Sequence, residues 1–417
     1  MLSSIKTLNF CFNQIIGFII LLSFVIPTRQ ASILVFITTV ITIIYLFNKR
    51  ELKITKSYFP IYLLFSWILF SYIFNDNFSY NGAKKMETYL CILSWIFYSQ
   101  LFNFEFLKVN FNKIFFILAI LLNILFFIFI SIALFNFIQS NNTDVFFYFE
   151  LIKPFALHPI YLSLLILIVI IHLVLKNIIK IAKIDIIMLV ILQFFLILLS
   201  SKTLIFLNLL FYIYIIILRK SFKTKIISTL LIFIFLIGIS LLPFVQKRFS
   251  EISKISSLSI LNQQKIDDWN KVNGLTMRLF IQKNALNYQI NEGAKSFIFG
   301  MGAGNSIEIL NKLNEIHNMA ITYFDGKKEG LYNYNLHSQY LQFIFNFGII
   351  GLFIFLFTIF NLIKTNTLHN LFLNLSIILF IFAFFTESYL ETYRGIQYFM
   401  FIYVLKKQLQ NDKITIK

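Results

Sequence analysis

The residues of this sequence that could do chemistry stand at the edges of long apolar segments. A histidine near its unperturbed pKa of about 6.5 is suited to taking a proton from a hydroxyl group. An arginine can bond two oxygens of a phosphate at once through its planar guanidinium group. The candidates, in chain order, are Lys153, His158, Tyr161, Lys202, Arg278, Gly300, Gly302, Gly304, His337, Glu387, Glu391 and Arg394.

The apolar composition of the chain decides which class of protein must position these residues. Hydrophobic residues make up 59% of the sequence, charged residues only 13%, and the mean hydropathy is +0.81. Soluble domains are about half apolar, and long uninterrupted apolar runs are typical of membrane-spanning helices. We therefore predict an all-α polytopic integral membrane protein.

Twelve apolar segments approach the roughly 20 residues that a spanning helix needs. They predict spans 1–9 within residues 1–243, a large and partly helical polar loop at 244–336, spans 10–12 within 337–406, and a short basic tail at 407–417. The fourth and twelfth segments are the weakest. The segments are 10–26, 31–47, 58–74, 87–102, 114–138, 155–175, 184–200, 203–218, 226–243, 339–362, 369–386 and 395–406.

The distribution of lysine and arginine predicts the orientation of the chain. With a cytoplasmic N-terminus, the loops on the cytoplasmic side hold far more of these residues than the short loops on the outer side. Both termini are therefore expected in the cytoplasm and the large loop outside. The net charge of +18 is then mostly a topological signature, with some attraction to anionic lipid, and does not indicate nucleic-acid binding.

This topology brings the candidate residues to one face of the membrane. His158 and Tyr161 stand at the entrance of the sixth span, and Lys202 lies in the turn between the seventh and eighth. Arg278 belongs to the large loop, and His337 stands at the mouth of the tenth span. Ionisable groups at membrane depth are costly and commonly mark a site. A cationic, outward-facing pocket at headgroup level is suited to a lipid diphosphate.

Each candidate taken alone also has a structural interpretation that needs no chemistry. Lys153 and Lys202 could simply extend to the membrane surface. His158, which precedes a proline, could bond a free backbone group at a helix start. Glu391 could form an i,i+3 ion pair with Arg394. The convergence of the whole set, more than any member, favours a site.

Two further motifs in the large loop could suggest phosphate or metal binding. The run FIFGMGAGN resembles a phosphate-binding glycine loop, but no Lys-Ser/Thr follows it and the topology places it outside the cytoplasm. A turn that approaches a ligand or packs against a helix fits these glycines better. The pair Asp267 and Asp268 could ligate a divalent ion, although adjacent carboxylates in a polar loop are more often solvated. We predict neither a metal nor a cofactor.

Several motifs together resemble the O-antigen ligase and O-antigen polymerase superfamily of membrane enzymes. HSQYLQFIFNFGIIGLFIF is similar to the family's His-Asn/Ser pair before an aliphatic helix with Gly-x-x-Gly, here Gly348 and Gly351. LHPIYLS is similar to a His-Pro-x-Tyr segment, and Arg278 followed by GMGAGN to an Arg-then-Gly-x-Gly pattern. ESYLETYRGIQYF resembles the turn before the last span. The twelve-span layout also agrees with this family.

The resemblance implies a metal-independent glycosyltransferase at the outer face of the bacterial inner membrane. The donor would be a glycan on undecaprenyl diphosphate. The acceptor would be a sugar hydroxyl, on lipid A-core for a ligase or on another lipid-linked glycan for a polymerase. The protein would serve lipopolysaccharide or other surface-polysaccharide biosynthesis, with these substrates and membrane lipids as partners.

The resemblance also assigns roles to individual residues. His337 would be the base that activates the acceptor hydroxyl, and Arg278 would bind the diphosphate and stabilise its charge as it leaves. The family often has an arginine where this chain has Lys202, so the cation is kept without the planar fork. Weaker expected contacts to diphosphate or glycan are Arg394, His158, Tyr161, Glu387, Gly300 and Gly302.

A transporter for the same lipid-linked glycans is an alternative from another class. It would place charged residues in the middle of spans and show an internal repeat of its two halves. Mid-span positions here are nearly free of charge, apart from His172 near an inner end, and no repeat is visible. Glycan transfer is therefore favoured over transport, and a ligase slightly over a polymerase.

Overall fold

The architecture of the chain is almost entirely helical. The computed structural model describes residues 2–50, 55–102, 104–177, 182–218, 229–230, 233, 261–266, 272–317, 322–324, 327–329, 334–363 and 370–411. Two short strands, β1 (Thr322–Phe324) and β2 (Lys327–Glu329), pair antiparallel. The helices are α1 (Leu2–Ser23), α2 (Thr28–Asn48), α3 (Phe59–Phe74), α4 (Tyr80–Leu101), α5 (Phe104–Ser140), α6 (Tyr148–Ile152), α7 (Pro159–Asn177), α8 (Lys183–Leu198), α9 (Lys202–Leu218), α10 (Gly274–Asn291), α11 (Ala294–Phe299), α12 (Ala303–Ile316), α13 (Gln339–Ile363), α14 (Asn370–Thr386) and α15 (Tyr393–Asn411).

Five helices among the described residues are long and apolar enough to cross a membrane, so the chain is a multi-pass membrane protein. They agree with the predicted spans at 31–47, 58–74, 114–138, 155–175 and 339–362. Their bounds are Thr28–Asn48, Lys56–Phe74, Val109–Ser140, Pro159–Lys176 and Gln339–Ile363. Three shorter apolar helices, Phe12–Ser23, Lys202–Ile217 and Leu371–Thr386, coincide with the first, eighth and eleventh predicted segments.

Four predicted segments correspond to none of these eight apolar helices. Segments 87–102 and 184–200 extend one and two residues past the ends of α4 and α8, and segment 395–406 falls within α15. Segment 226–243 lies almost wholly outside the described residues, as do Asp267 and Asp268. The count of twelve spans and the outward position of the large loop therefore stay predictions.

Two helices form the centre of the bundle. α7 packs against α5, α8 and α14, and 83% of the residues in its 18-residue apolar stretch are buried inside the protein. α15 packs against α4 and α14. At the periphery, apolar side chains such as Phe36 and Phe47 remain 69% and 75% exposed. That distribution is expected where lipid, and not water, surrounds the bundle.

The loop helices α11 and α12 are anchored to the end of this bundle. α11 packs against α13, and α12 packs against α4. The Asp76 carboxylate, just after α3, accepts the backbone N–H of Gly304 at 3.0 Å and that of Asn305 at 2.9 Å. A carboxylate at a helix N-terminus satisfies free N–H groups and complements the helix dipole. This contact fixes the start of α12, and with it the position of its neighbour α10.

The helix α13 is broken in its middle at Gly348, whose φ of 69° and ψ of −177° lie outside the helical region. A break of this kind leaves backbone carbonyls without helical partners, which is tolerated at membrane depth only if other groups bond them. Four donors do so: Gln289 Nε2 to Ile344 O at 2.8 Å, Met301 N to Phe345 O at 2.9 Å, Gly302 N to Asn346 O at 3.0 Å and Trp67 Nε1 to Phe347 O at 3.0 Å.

Candidate active site

A buried carboxylate, Glu387, joins the two residues to which the sequence assigns the chief roles. Its Oε1 lies 2.6 Å from Nη2 of Arg278, and its Oε2 lies 3.0 Å from Nδ1 of His337. Arg278 Nη1 also donates to the carbonyl of Thr386 at 2.9 Å. The Glu387 side chain is 8% exposed, so little water competes for these contacts.

The three members of this cluster come from three separate elements. Arg278 lies in the first turns of α10, which starts with a capping box between Asn273 and Thr276. His337 stands two residues before α13, and Glu387 directly follows α14. Each therefore sits at the end of a helix whose axis is held by packing. This arrangement limits how far the three side chains can move apart.

The hydrogen bonds of His337 define which nitrogen can act as a base. An ionised carboxylate only accepts hydrogen bonds, so Nδ1, which faces Glu387, carries the proton. Nε2 is then the nitrogen with a free lone pair. It is buried and has no hydrogen-bond partner among the described residues. This is the arrangement of a base oriented by a carboxylate.

The charge of Glu387 is set by competing effects. Burial alone would raise its pKa, because a charged group loses solvation. The hydrogen bond from His337 and the positive charge of Arg278 outweigh burial, and the pKa of Glu387 is lower than usual. The carboxylate is therefore ionised at neutral pH and available to orient the imidazole.

His158 lies beside the cluster and bonds the backbone at the start of α7. Its Nδ1 accepts the backbone N–H of Ile160 at 3.3 Å, which is the helix-start role considered from the sequence. Burial, opposed by Glu387 and aided by the positive charge of Arg278, lowers the pKa of His158 to about 4. The ring is therefore neutral at neutral pH.

Aromatic rings continue from His158 toward Glu387. The His158 and Tyr161 rings lie 5.2 Å apart between centroids, and Tyr161 meets Tyr389 edge-on at 5.2 Å. On the other side of the cluster, Tyr334 lies 5.6 Å from the His337 ring. The charged cluster is thus bordered by aromatic and neutral polar groups.

Comparison with known families bears on this cluster directly. Residues 186–356 match the sequence model of the O-antigen ligase family. Over this segment the chain is similar to that family. The match covers Lys202, Arg278 and His337 and ends before Glu387, and it confirms the resemblance drawn from the motifs. No curated protein matches the chain. The family supports an enzyme of glycan transfer, of ligase or polymerase type.

Two glycines of the large loop, Gly300 and Gly302, pack closely against neighbouring elements. A Cβ at Gly300 would lie 2.3 Å from the carbonyl oxygen of Asn346, and one at Gly302 would lie 2.2 Å from Oδ1 of Asp76. Both residues have positive φ, 84° and 87°. The turn is therefore pressed against the break in α13, which supports the helix-packing interpretation. The substrate contact of these two glycines stays a prediction.

The structure commits Arg394 to contacts away from the cluster. Its guanidinium group donates to the carbonyls of Ser23 and Ile26, at the end of α1, and the residue is 4% exposed. The suggested i,i+3 partner, Glu391, instead lies 2.7 Å from Lys85. Arg394 thus caps the C-terminal end of α1. This geometry gives no support to the diphosphate contact expected of Arg394.

The two outer lysines differ in their settings. Lys153 is exposed and lies 3.1 Å from Glu150, a contact that fits the surface interpretation. Lys202 is the first residue of α9, partly buried, directly after the turn that ends α8. Its role toward a diphosphate stays a prediction.

Sequence reasoning missed the polar residues that surround His337. Gln282, Gln342 and Asn346 are buried or partly buried amides that bond the backbone or one another near this histidine. Lys85, which lies 2.7 Å from Glu391, was not among the candidates either. The available signal was the i,i+4 repeat of amides in QFIFN, inside a helix that is otherwise apolar.

Proposed function

We propose that this protein is an O-antigen ligase-like glycosyltransferase, which moves a glycan from undecaprenyl diphosphate to a sugar hydroxyl of lipid A-core. The reaction takes place at the outer face of the bacterial inner membrane. The single observation that carries the proposal is the Arg278–Glu387–His337 cluster, two of whose members lie in the segment that matches the O-antigen ligase family. Both termini are cytoplasmic in this proposal.

His337 acts as the general base. The acceptor hydroxyl oxygen forms a bond to the anomeric carbon of the donor sugar as the bond from that carbon to the diphosphate oxygen breaks. The hydroxyl proton passes to Nε2 of His337, the nitrogen that Glu387 leaves with a free lone pair. The bonding electron pair leaves with the diphosphate. A positioned base of this kind contributes about 10²–10⁴ to the rate.

Glu387 and Arg278 support this step electrostatically. The carboxylate holds the imidazole in one tautomer and stabilises the imidazolium that forms. Arg278 has five N–H donors, and those not facing Glu387 and Thr386 remain for diphosphate oxygens. Its side chain is 29% exposed, so the group can reach a ligand. Lys202 supplies a second cation, and His158 and Tyr161 neutral contacts to the glycan.

The site needs no strong acid, because undecaprenyl diphosphate is already a good leaving group. Its task is to hold donor and acceptor in line and to neutralise the growing charge. Placement at the headgroup level suits a donor whose lipid lies in the bilayer and whose sugars project outward.

The test is the lipopolysaccharide gel profile of a strain that lacks this gene, with the wild-type or the His337→Ala gene restored. A ligase predicts bare lipid A-core and accumulated lipid-linked polymer in the deletion strain, repaired by the wild-type gene only. Core carrying a single repeat, without the long ladder, would identify a polymerase with the same chemistry. A profile unchanged by deletion would overturn the proposal, and restoration by membrane-inserted His337→Ala protein would overturn the base assignment.

A further inference from the structure

His337 is held in a backbone conformation that side-chain-bearing residues rarely adopt. Its φ is 49°, in the left-handed region. Such a conformation is unfavourable for a residue with a Cβ and persists only where the surroundings determine it. The position of the imidazole ring depends on this backbone. Groups that fix the backbone therefore control where Nε2 points.

Three hydrogen bonds fix the backbone at this position. The N–H of Leu336 donates to Oε1 of Gln342 at 2.8 Å, and its carbonyl accepts from Nε2 of Gln282 at 2.7 Å. The N–H of His337 donates to Oδ1 of Asn335 at 2.9 Å. Gln282 stands one turn after Arg278 on α10. The same clamp thus ties the segment of the base to the helix of the arginine.

Gln342 is the first member of a chain of buried polar groups. Its Nε2 donates to Oδ1 of Asn346 at 2.9 Å, and Nδ2 of Asn346 donates to Oε1 of Glu391 at 3.0 Å. Glu391 also accepts from the Tyr89 hydroxyl at 2.8 Å and lies 2.7 Å from Nζ of Lys85. The two amides are four residues apart and share a face of α13.

The carboxylate sets the direction of every bond in this chain. Glu391 can only accept, so Asn346 must present its NH₂ group to it. The oxygen of Asn346 then faces Gln342 and takes its NH₂ group. The oxygen of Gln342 is left for the N–H of Leu336. An amide elsewhere could bond in either orientation, but here one negative charge makes a single orientation favourable.

We propose that Glu391, Asn346 and Gln342 form a positioning chain that holds the His337 segment in its active conformation, with Lys85 neutralising the buried carboxylate. The effect of this chain on catalysis rests on the proposed function. It gives the second carboxylate of the ESYLE turn a role distinct from that of Glu387. The first touches the base, and the second acts on it through two amides.

The test replaces Gln342 by methionine, which has a similar shape but cannot bond Leu336 or Asn346. We expect kcat for transfer from a purified lipid-linked glycan to fall about 10²-fold, as for a small misplacement of a catalytic group. The donor KM should change by less than about threefold, because Arg278 is untouched. Gln342→Glu keeps an acceptor for the Leu336 N–H but has no donor for Oδ1 of Asn346, so it should also lose kcat. Full activity in this variant would overturn the link through Asn346 to Glu391.

The matched control is Gln289→Met. Gln289 is also a buried glutamine and also bonds α13, through the carbonyl of Ile344, but it does not reach His337. We expect its kcat to stay within about threefold of wild type. An unchanged kcat in Gln342→Met, or an equal loss in Gln289→Met, would overturn the positioning chain.

A second measurement does not depend on transfer activity. Acylation of His337 by diethyl pyrocarbonate, followed by peptide mass spectrometry, should become several-fold faster in Gln342→Met, while His317 in the same molecules reacts as before. An unchanged His337 rate would also overturn the chain. A wild-type protein that transfers no glycan would instead overturn the proposed function, and the acylation rates would still test the chain.

Discussion

At the scale of single residues, Glu387 determines what the candidate base can do. The carboxylate fixes the proton of His337 on Nδ1 and also pairs with Arg278. Replacing a carboxylate by an amide keeps the size of the side chain but removes the charge. The amide oxygen can serve His337 only if its NH₂ group then faces the guanidinium group. The orientation of the base and the pairing of the arginine therefore compete in such a variant.

We predict that Glu387→Gln lowers kcat by about tenfold or more, with the factor of about 10²–10⁴ that a general base contributes as the upper limit. Initial rates of transfer with purified protein in detergent would measure the loss. Glu150→Gln is the matched control, because Glu150 is an exposed glutamate that pairs only with Lys153 at the surface. Equal rates for Glu387→Gln and wild type would contradict the orienting role.

The same carboxylate should make stability depend on acidity. The pKa of Glu387 in the folded protein is lowered, so its stabilisation is present above the unfolded value of about 4.3 and is lost as the pH falls through the folded pKa. Thermal unfolding by intrinsic fluorescence, from pH 3 to pH 7, should show wild type above Glu387→Gln near neutrality. The difference should shrink below about pH 4. A difference that grows on acidification would reverse this assignment.

At the scale of elements, the sequence predicted the helices better than the contacts between them. Apolar length alone located spans such as 31–47 and 339–362, because burial in lipid demands a continuous apolar helix. The partners of Arg394 could not be read in the same way. Local spacing suggested Glu391 as its partner. In the structure Arg394 instead donates to the carbonyls of Ser23 and Ile26. That contact depends on how helices distant in sequence pack.

The candidate site was predictable in its parts but not in its connections. His337 and Arg278 were identified from motifs, since their types and positions carry the chemistry. Glu387 was expected only as a weak substrate contact, because nothing in the sequence shows that the end of α14 meets the start of α13. The glycine run was correctly considered as a helix-packing turn, although its partner, the break at Gly348, could not be foreseen.

The break in α13 is an element whose importance can be measured. A Cβ at Gly348 would lie 2.1 Å from the carbonyl oxygen of Ile298, and its φ of 69° disfavours any other residue. We predict that Gly348→Ala destabilises the protein by about 1–3 kcal/mol. Gly274→Ala is the control, since a Cβ there meets nothing within 4 Å. Thermal unfolding in detergent that shifts equally in both variants would contradict this account.

At the scale of the whole molecule, the helix ends that form the site must share one side of the membrane. His158 at the start of α7, His337 before α13 and Glu387 after α14 act on one another electrostatically. The chain enters this region from the end of α5 through residues 141–147. The positive-inside distribution predicts all of these ends outside the cytoplasm. The loop after α5 and the site must therefore face the same side of the membrane.

We predict that a cysteine at Asn141 reacts with a membrane-impermeant maleimide in intact spheroplasts, whereas one at Lys49 reacts only after the membrane is opened. Asn141 is exposed and follows α5, and Lys49 follows α2 at the opposite, basic end of the bundle. The parent protein controls for its own cysteines, of which Cys91 is buried. The reverse pattern would put the Arg278–Glu387–His337 cluster in the cytoplasm, out of reach of an outward-facing lipid-linked glycan. The cluster geometry would then have to be explained by another substrate.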